Sequence, residues 1–451
     1  MLEGEEMIRW AKDLFPIPRS LTGDGVRETI AYMQSINPEF LTETFMTGEE
    51  VFDWQIPQEW KIYDAYIEHL ETRQRFAEFS KSNLNVLGYS EPIDTVMELD
   101  ALLPHIHTQR DQPNLVPYVT SYYKRRWGFC MAHSKKENLP AGKYRVVIDS
   151  KLFDGELILG EASICGLLKD EILFSSYICH PSMANNELSG PVLISALMRF
   201  IKKNFKTPRY SYRFLAMPET IGSLAYMSRH LNVMKKNIVC GFNLSCVGDE
   251  RGFSHVETRY ANTLADIALK SALFGRENVK TYSFLQRGSD ERQYGAPGIE
   301  LPIAGFCRSK YGEFPEYHTN ADNFELVTAS GLQGAFDVMS EIIMAFETGL
   351  YPKSNVLGEP QLAKRGLYPS LSQKGERSSI NARMNFITYS DGKNSLFDIA
   401  NIIGVPLIQV LKEATLLVNR GIVSVSDRQS ALSIQPVSEV EYGPRLSEYK
   451  I

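Results

Sequence analysis

The chain has 451 residues, 43% hydrophobic and 23% charged, with a formal net charge of −6. That is ordinary globular composition, long enough for two or three domains, and it gives no footing for a nucleic-acid or anionic-membrane partner over the whole chain. The opening Met1-Leu2-Glu3-Gly4-Glu5-Glu6 is acidic rather than basic-then-apolar, and no apolar run is long enough to span a bilayer; a cytoplasmic protein without a membrane partner is expected. The six cysteines (130, 165, 179, 240, 246 and 307) are scattered with no CxxC, which predicts reduced thiols and neither a disulfide frame nor a cysteine zinc site.

Residues 5–35 read as one or two helices joined by the loop FPIPRSLTGDG, with Pro16, Pro18, Gly23 and Gly25. Residues 45–150 change character. Short β-prone pieces such as EWKIYDAYIE and KYRVVIDSKL alternate with turn signals, and Trp54, Trp60 and Trp127 fall here. The pattern predicts a β-rich domain inserted into the main one. Its segment YYKRRWGFCM, residues 122–131, reads either as a substrate-facing surface or as a sheet with a solvated edge.

The organising stretch follows at residues 173–200. The apolar run Leu173 to Ile178 predicts a buried strand ending at Cys179-His180. A polar loop carries Asn185-Asn186-Glu187, and Ser189 is expected to cap a helix with Pro191 in its first turn. Residues 155–350 alternate strand and helix signals, which predicts an α/β domain with a largely parallel sheet flanked by helices. Residues 351–385, rich in Pro, Gly, Ser and charge, read as a linker. Residues 395–427 then read as helix, turn at Gly404-Val405-Pro406, helix, turn at Gly421 and strand, the outline of a winged helix-turn-helix. Residues 391–451 carry six Lys/Arg against seven Asp/Glu, too little positive charge for a DNA reader, so a packing or protein-contact module is expected.

Four predicted strand ends carry polar groups on the ligand-binding edge of such a sheet. They are His180 with Asn186/Glu187, Glu219 in MPET, Ser245 in NLSCVGD, and His318 in PEYHTNAD. His180, one carboxylate and His318 make a ligand set of the kind catalytic zinc uses, and Glu219 could take the proton from water. Each residue alone has a bland reading: a structural histidine, a carboxylate favouring a helix start, a solvated loop residue. Only their joint occurrence points to a metal. Asp290 and Arg292 in RGSDERQYG read as a surface ion pair or a substrate contact, the former preferred.

HPSMANNELSG followed by MPETIGS, LSCVGD and YHTNAD resembles the zinc aminopeptidases of the bacterial leucyl aminopeptidase type. TGEEVFDWQIPQEW, YYKRRWGFC and CHPSMANNELSG resemble more specifically a bacterial family of aminopeptidase-like proteins, over nearly the whole chain. The resemblance implies a zinc-exopeptidase-like three-layer α/β/α domain with an inserted β-rich domain and a C-terminal winged helix-turn-helix. The expected boundaries are 1–44 and 151–370 for the peptidase-like domain, 45–150 for the insert and 385–451 for the winged helix.

Three departures from that pattern bear on the chemistry. Asn186 stands where the two-zinc enzymes have a bridging aspartate, Pro218-Glu219 replaces a glutamate pair, and Ser245 replaces an aspartate. One zinc ion rather than two is therefore expected, held by His180, Glu187 and His318, with Glu219 as base. The implied substrate is a peptide or aminoacyl-amide-like small molecule, whose free amine Asp249, Asp290 or Glu316 might hold. The rival readings are a non-catalytic binding protein on a peptidase scaffold, tied to polysaccharide or envelope biosynthesis, and a DNA-binding regulator, which the acidic tail disfavours. The sequence leaves room for a homo-oligomer.

Overall fold

The computed structural model describes residues 3–368 and 376–429. The described chain divides into two compact units at Glu347/Thr348.

The first unit is organised on an eight-stranded sheet. Its strands are β1 (Leu41–Met46), β2 (Glu156–Ile164), β3 (Glu171–Tyr177), β4 (Ser211–Met217), β5 (Ile238–Leu244), β6 (Phe253–Val256), β7 (Val279–Tyr282) and β8 (Ile303–Cys307), in the order β1-β2-β4-β3-β5-β8-β6-β7. The four central strands β4, β3, β5 and β8 run parallel, whereas β1–β2, β2–β4 and β8–β6 pair antiparallel. The sheet is thus mixed, with a parallel centre, where a largely parallel one was expected. Strand β3 is buried at every position, as its unbroken apolar run requires when helices cover both faces of a parallel strand.

The helix Ser189–Asn204 crosses from β3 toward β4, and Ile221–Asn237 crosses from β4 toward β5. Gly190 lets the first of these lie close to the sheet: a Cβ there would fall 2.0 Å from Ser176 Oγ and 2.5 Å from the Leu244 carbonyl. Ser189 is the first helical residue and not the expected N-cap. Its hydroxyl bonds back to the Asn185 carbonyl and accepts from Val247 N, because a π-helical turn, Ala184–Leu188, leads directly into the helix.

Between β1 and β2 the chain builds a separate four-stranded sheet. Its long strands Glu59–His69 and Lys143–Phe153 pair antiparallel, flanked by Arg75–Phe76 and Ile93–Glu98. It has its own apolar cluster, including Ile67, Phe129, Tyr144 and Val146.

The second unit holds helices Glu376–Tyr389, Leu396–Ile403 and Leu407–Asn419, and an antiparallel pair Tyr351–Ser354 with Val423–Ser426. Ser395 and Asp398 cap Leu396–Ile403 reciprocally, and Gly404, at φ 65°, ends it in the left-handed conformation. The expected linker over 351–385 is corrected in part, since it contributes a strand and the start of a helix. Its residues 369–375, and residues 430–451 of the expected tail domain, lie outside the described residues. Among the described residues no single helix is long and apolar enough to cross a membrane.

Candidate metal centre

Strands β3, β4 and β5 end side by side, and their carboxyl ends deliver His180, Glu219 and Ser245–Cys246 to one edge of the sheet. The loop after β8 brings His318 back over the same edge. The backbone there is strained: Ser182, Thr220, Cys246 and His318 all have positive φ, between 44° and 67°. For Thr220, a β-branched residue, that conformation is a genuine outlier, and such outliers persist where the surroundings over-determine them, often at functional sites.

The two imidazoles face one another. Their ring centres are 5.6 Å apart, and Tyr118 lies 5.2 Å from both. Zinc–nitrogen bonds of about 2.0–2.1 Å would put two rings on one tetrahedral ion roughly 5 Å apart, so the separation suits a shared cation. His318 stacks on Tyr317 at 3.9 Å, and its Nε2 is buried with no hydrogen-bond partner. His180 Nε2 lies 3.8 Å from Glu219 Oε2. Burial holds both histidines well below the usual imidazole range, at about 3, with Arg19 adding to the effect at His180 and His180 adding to it at His318. Both rings are therefore neutral at pH 7, as metal ligation requires.

The far side of His180 is occupied differently. Its Nδ1 meets Glu187 Oε2 at 2.9 Å, while Glu187 Oε1 lies 3.5 Å from Arg19 Nε, and both of those side chains are fully buried. Nδ1 and Nε2 project from opposite edges of an imidazole, so a cation on Nε2 is out of reach of Glu187. Glu187 thus meets His180 on the edge away from Nε2, the place of a carboxylate that orients the ring from behind, and with Cys179 it lies close enough to His180 for the three to share an ion on that side instead. Burial pushes its carboxyl up to about 8, against the pull of Arg19. Cys179 also packs on this side, with Sγ 3.4 Å from Nδ1, and burial pushes its thiol well above the ordinary range, which makes it a structural thiol and not a nucleophile.

Glu219 is on the open side and keeps 22% of its side chain exposed. Burial, then the charge of Asp290, pushes its carboxyl up to about 8. Asp290 is fully buried and so is not half of a surface ion pair as expected. Its Oδ1 accepts from Thr220 N and Ser223 Oγ, both at 2.8 Å, and its Oδ2 is unpartnered. The other two carboxylates considered for a substrate amine are engaged: Asp249 accepts from Asn185, Ser309 and Arg251, and Glu316 is held bidentately by Arg251. Asn186 Oδ1 accepts from the Tyr177 hydroxyl at 2.9 Å, and Ser245 is buried against Cys307.

Three residues that matter here escaped the sequence reading. Arg19 reaches the His180 carbonyl and Glu187 from the loop between the first two helices; only its place in a Pro-rich loop marked it out. Asp322 caps the turn at Asn185 and Asn186 through their backbone N–H groups, at 2.5 and 2.9 Å, and so ties the His318 loop to the His180 loop. Tyr118 comes from the segment between the inserted sheet's strands Ile93–Glu98 and Lys143–Phe153 and donates its N–H to the His318 carbonyl at 2.8 Å.

Residues 8–349 match the family model described as "Domain of unknown function (DUF4910)". The chain belongs to this family. Residues 350–425 match the model described as winged helix-turn-helix. A Clostridium acetobutylicum protein, provisionally named for polysaccharide biosynthesis and for an aminopeptidase-like domain, is 41% identical over 401 residues, 88% of this chain and 91% of its own length. A crystal structure from the same organism, provisionally named a peptidase, superposes with TM-score 0.85 at 38% identity, covering 93% of this chain and 96% of that one. A zinc aminopeptidase from Bacillus subtilis superposes with TM-score 0.53 at 14% identity, covering 76% and 94%, and a peptidase M28 precursor from Shewanella amazonensis with 0.52 at 11%, covering 76% and 96%. The last two share the fold, and the DUF4910 unit is thus a bacterial zinc-aminopeptidase-like scaffold.

Proposed function

We propose that the chain is a one-zinc hydrolase acting on a peptide or aminoacyl-amide-like small substrate. The observation that carries this reading is the buried, unpartnered Nε2 of His318, whose ring centre lies 5.6 Å from that of His180, itself 3.8 Å through Nε2 from Glu219. A neutral ring nitrogen buried without a partner costs free energy unless something binds it. Two neutral imidazoles beside a carboxylate are a donor set that suits zinc. His180 and His318 would hold the zinc, which would supply Lewis acidity to polarise a carbonyl and acidify water.

The chain's own groups do the rest. Glu187, backed by Arg19, keeps His180 turned with Nε2 toward Glu219. A positive charge there favours the shared proton on Nδ1 and leaves Glu187 ionised against Arg19. Glu219 accepts the proton of the attacking water. Its carboxyl, raised to about 8 by burial, would be lowered again by the same charge and so held ionised, as a general base must be. Tyr118, Tyr177 and Tyr317 wall the two rings and keep bulk water from them.

The binding-protein reading keeps one observation in its favour: Glu219 is the lone carboxylate facing Nε2, so it cannot be both a third ligand and the base. Zinc content and turnover of Glu219→Gln separate the cases. The hydrolase reading expects zinc retained and hydrolysis of aminoacyl amides lost. Zinc-loaded wild type inert on a broad panel of amides and short peptides would instead favour the binder.

A further inference from the structure

We propose that the cavity walled by Arg259, Arg287 and Arg292 is an anion-binding subsite that holds an acidic end of the substrate, a carboxylate or a phosphate. That it serves the substrate rests on the hydrolase reading; that it takes an anion does not. The cavity encloses about 620 Å³, enough for a small ligand, and Glu257 is the one acidic side chain in its described wall.

The three guanidinium groups keep donors to spare. Arg292 gives Nη2 to the Thr220 hydroxyl, while its Nε is buried and has no partner. Arg287 lies over the Phe284 ring at 4.7 Å and donates one N–H to the Phe284 carbonyl. Arg259 meets Glu300 at 3.3 Å across an exposed edge. A guanidinium has five donors in a planar fork, so arginines of this kind suit a flat carboxylate or a phosphate. A second basic cavity, of about 490 Å³, lacks this feature: its Arg308 donates to the Gly252 and Gly331 carbonyls and its Lys310 to that of Tyr311.

The position ties the subsite to the centre. Arg292 is shared between the cavity wall and Thr220, the residue directly after Glu219, and Glu219 and Thr220 are the partly exposed edge of the centre. A substrate whose scissile carbonyl sits at Glu219 extends over Thr220 toward Arg292. An acidic group on that portion would meet the arginines, and a cationic one would be repelled.

The test is calorimetric titration of the EDTA-treated full chain with inorganic phosphate and, separately, with N-acetylglycine. At least one probe should bind, and the tighter of the two identifies the acid as phosphoryl or carboxyl. Arg292→Gln and the exposed Arg287→Gln should each weaken that binding by about tenfold or more, and Glu257→Gln should tighten it, a gain that loosened packing would not produce. Near-UV circular dichroism of each variant checks the fold. Failure of both probes to bind, or binding unchanged in the folded Arg287→Gln and Arg292→Gln variants, overturns the subsite. Arginine-dependent binding together with an inert zinc-loaded protein would uphold the subsite and discard the hydrolase.

Discussion

Two groupings of imidazole and carboxylate among the described residues of the first unit differ in what already occupies their lone pairs. Glu43, Glu161 and His230 gather at the partly exposed outer side of the sheet. There His230 Nε2 bonds Glu43 at 2.9 Å, Arg229 bonds the other oxygen of Glu43 at 3.0 Å, and Arg213 bonds Glu161. Every group has a partner of opposite or complementary character, so the cluster is an ion-pair network that closes on itself. His180, His318 and Glu219 are instead left open: one ring nitrogen has no partner, and burial, then the charge of Asp290, pushes the carboxylate toward its neutral form. Spacing of residue types does not separate the two clusters. Unsatisfied bonding capacity at a buried edge does.

The largest expected effect is on metal content. Elemental analysis of wild type should find about one zinc per chain, lost in His318→Ala and His180→Ala and kept in His230→Ala. Zinc that follows His230, or that ignores His318, would reverse the comparison. Next comes turnover: Glu219→Gln should keep the metal and lower hydrolysis by about 10²–10⁴, whereas Glu43→Gln should leave it alone.

Arg19→Met sharpens the contrast from behind the centre. It removes the cation that pulls on the fully buried Glu187 carboxyl, so stability is lost progressively as Glu187 of the wild type ionises toward pH 9. The loss should shrink at pH 5, where Glu187 is protonated, and chemical denaturation at the two pH values measures it. A pH-independent loss would mean that Arg19 acts by packing alone.

A smaller effect concerns pH and metal-free stability. Glu187 and Glu219 titrate at about 8 in the fold and near 4.5 when unfolded, so between those values the native state holds the extra protons. Their stabilising contribution is complete below about 4.5 and is lost as pH rises through 8. The histidines act oppositely: they titrate at about 3 in the fold against 6.5 unfolded, and their contribution is lost as pH falls below 6.5. The melting temperature of EDTA-treated protein should therefore decline from pH 6.5 to 8.5, and zinc should flatten the decline. A rising Tm over that interval without metal would contradict the assignment of neutral carboxyls.

How far the site was legible depended on chain distance. His180 and Glu219 end apolar runs that could only be buried strands, so their place on the sheet's ligand edge followed from β3 and β4 themselves. His318 was chosen by residue type in a polar loop, and its ring meets that of His180 because the loop after β8 folds back, fastened by Asp322 to the turn at Asn185. Which ring nitrogen of His180 meets Glu187 was not legible, because seven residues of separation do not reveal it; the π-helical turn decides that. Arg19 and Tyr118 arrive from other parts of the chain, and nothing in their local sequence announces it. Asp290, followed by Glu291 and Arg292, looked like a surface residue until the short helix Glu291–Tyr294 turned it inward.

Local sequence determined the elements: buried apolar runs make parallel strands, capped amphipathic segments make helices, and Gly404 closes the first helix of its pair. Composition determined that the cysteines stay unpaired, as all six are among the described residues. Tertiary structure alone decided which edge of His180 faces Glu219 and which faces Glu187, and that three arginines share one hollow. The reason is physical. Strand and helix formation depend on neighbours a few residues away, whereas desolvation, unmet hydrogen bonds and charge coupling act through space between segments that the chain order keeps far apart.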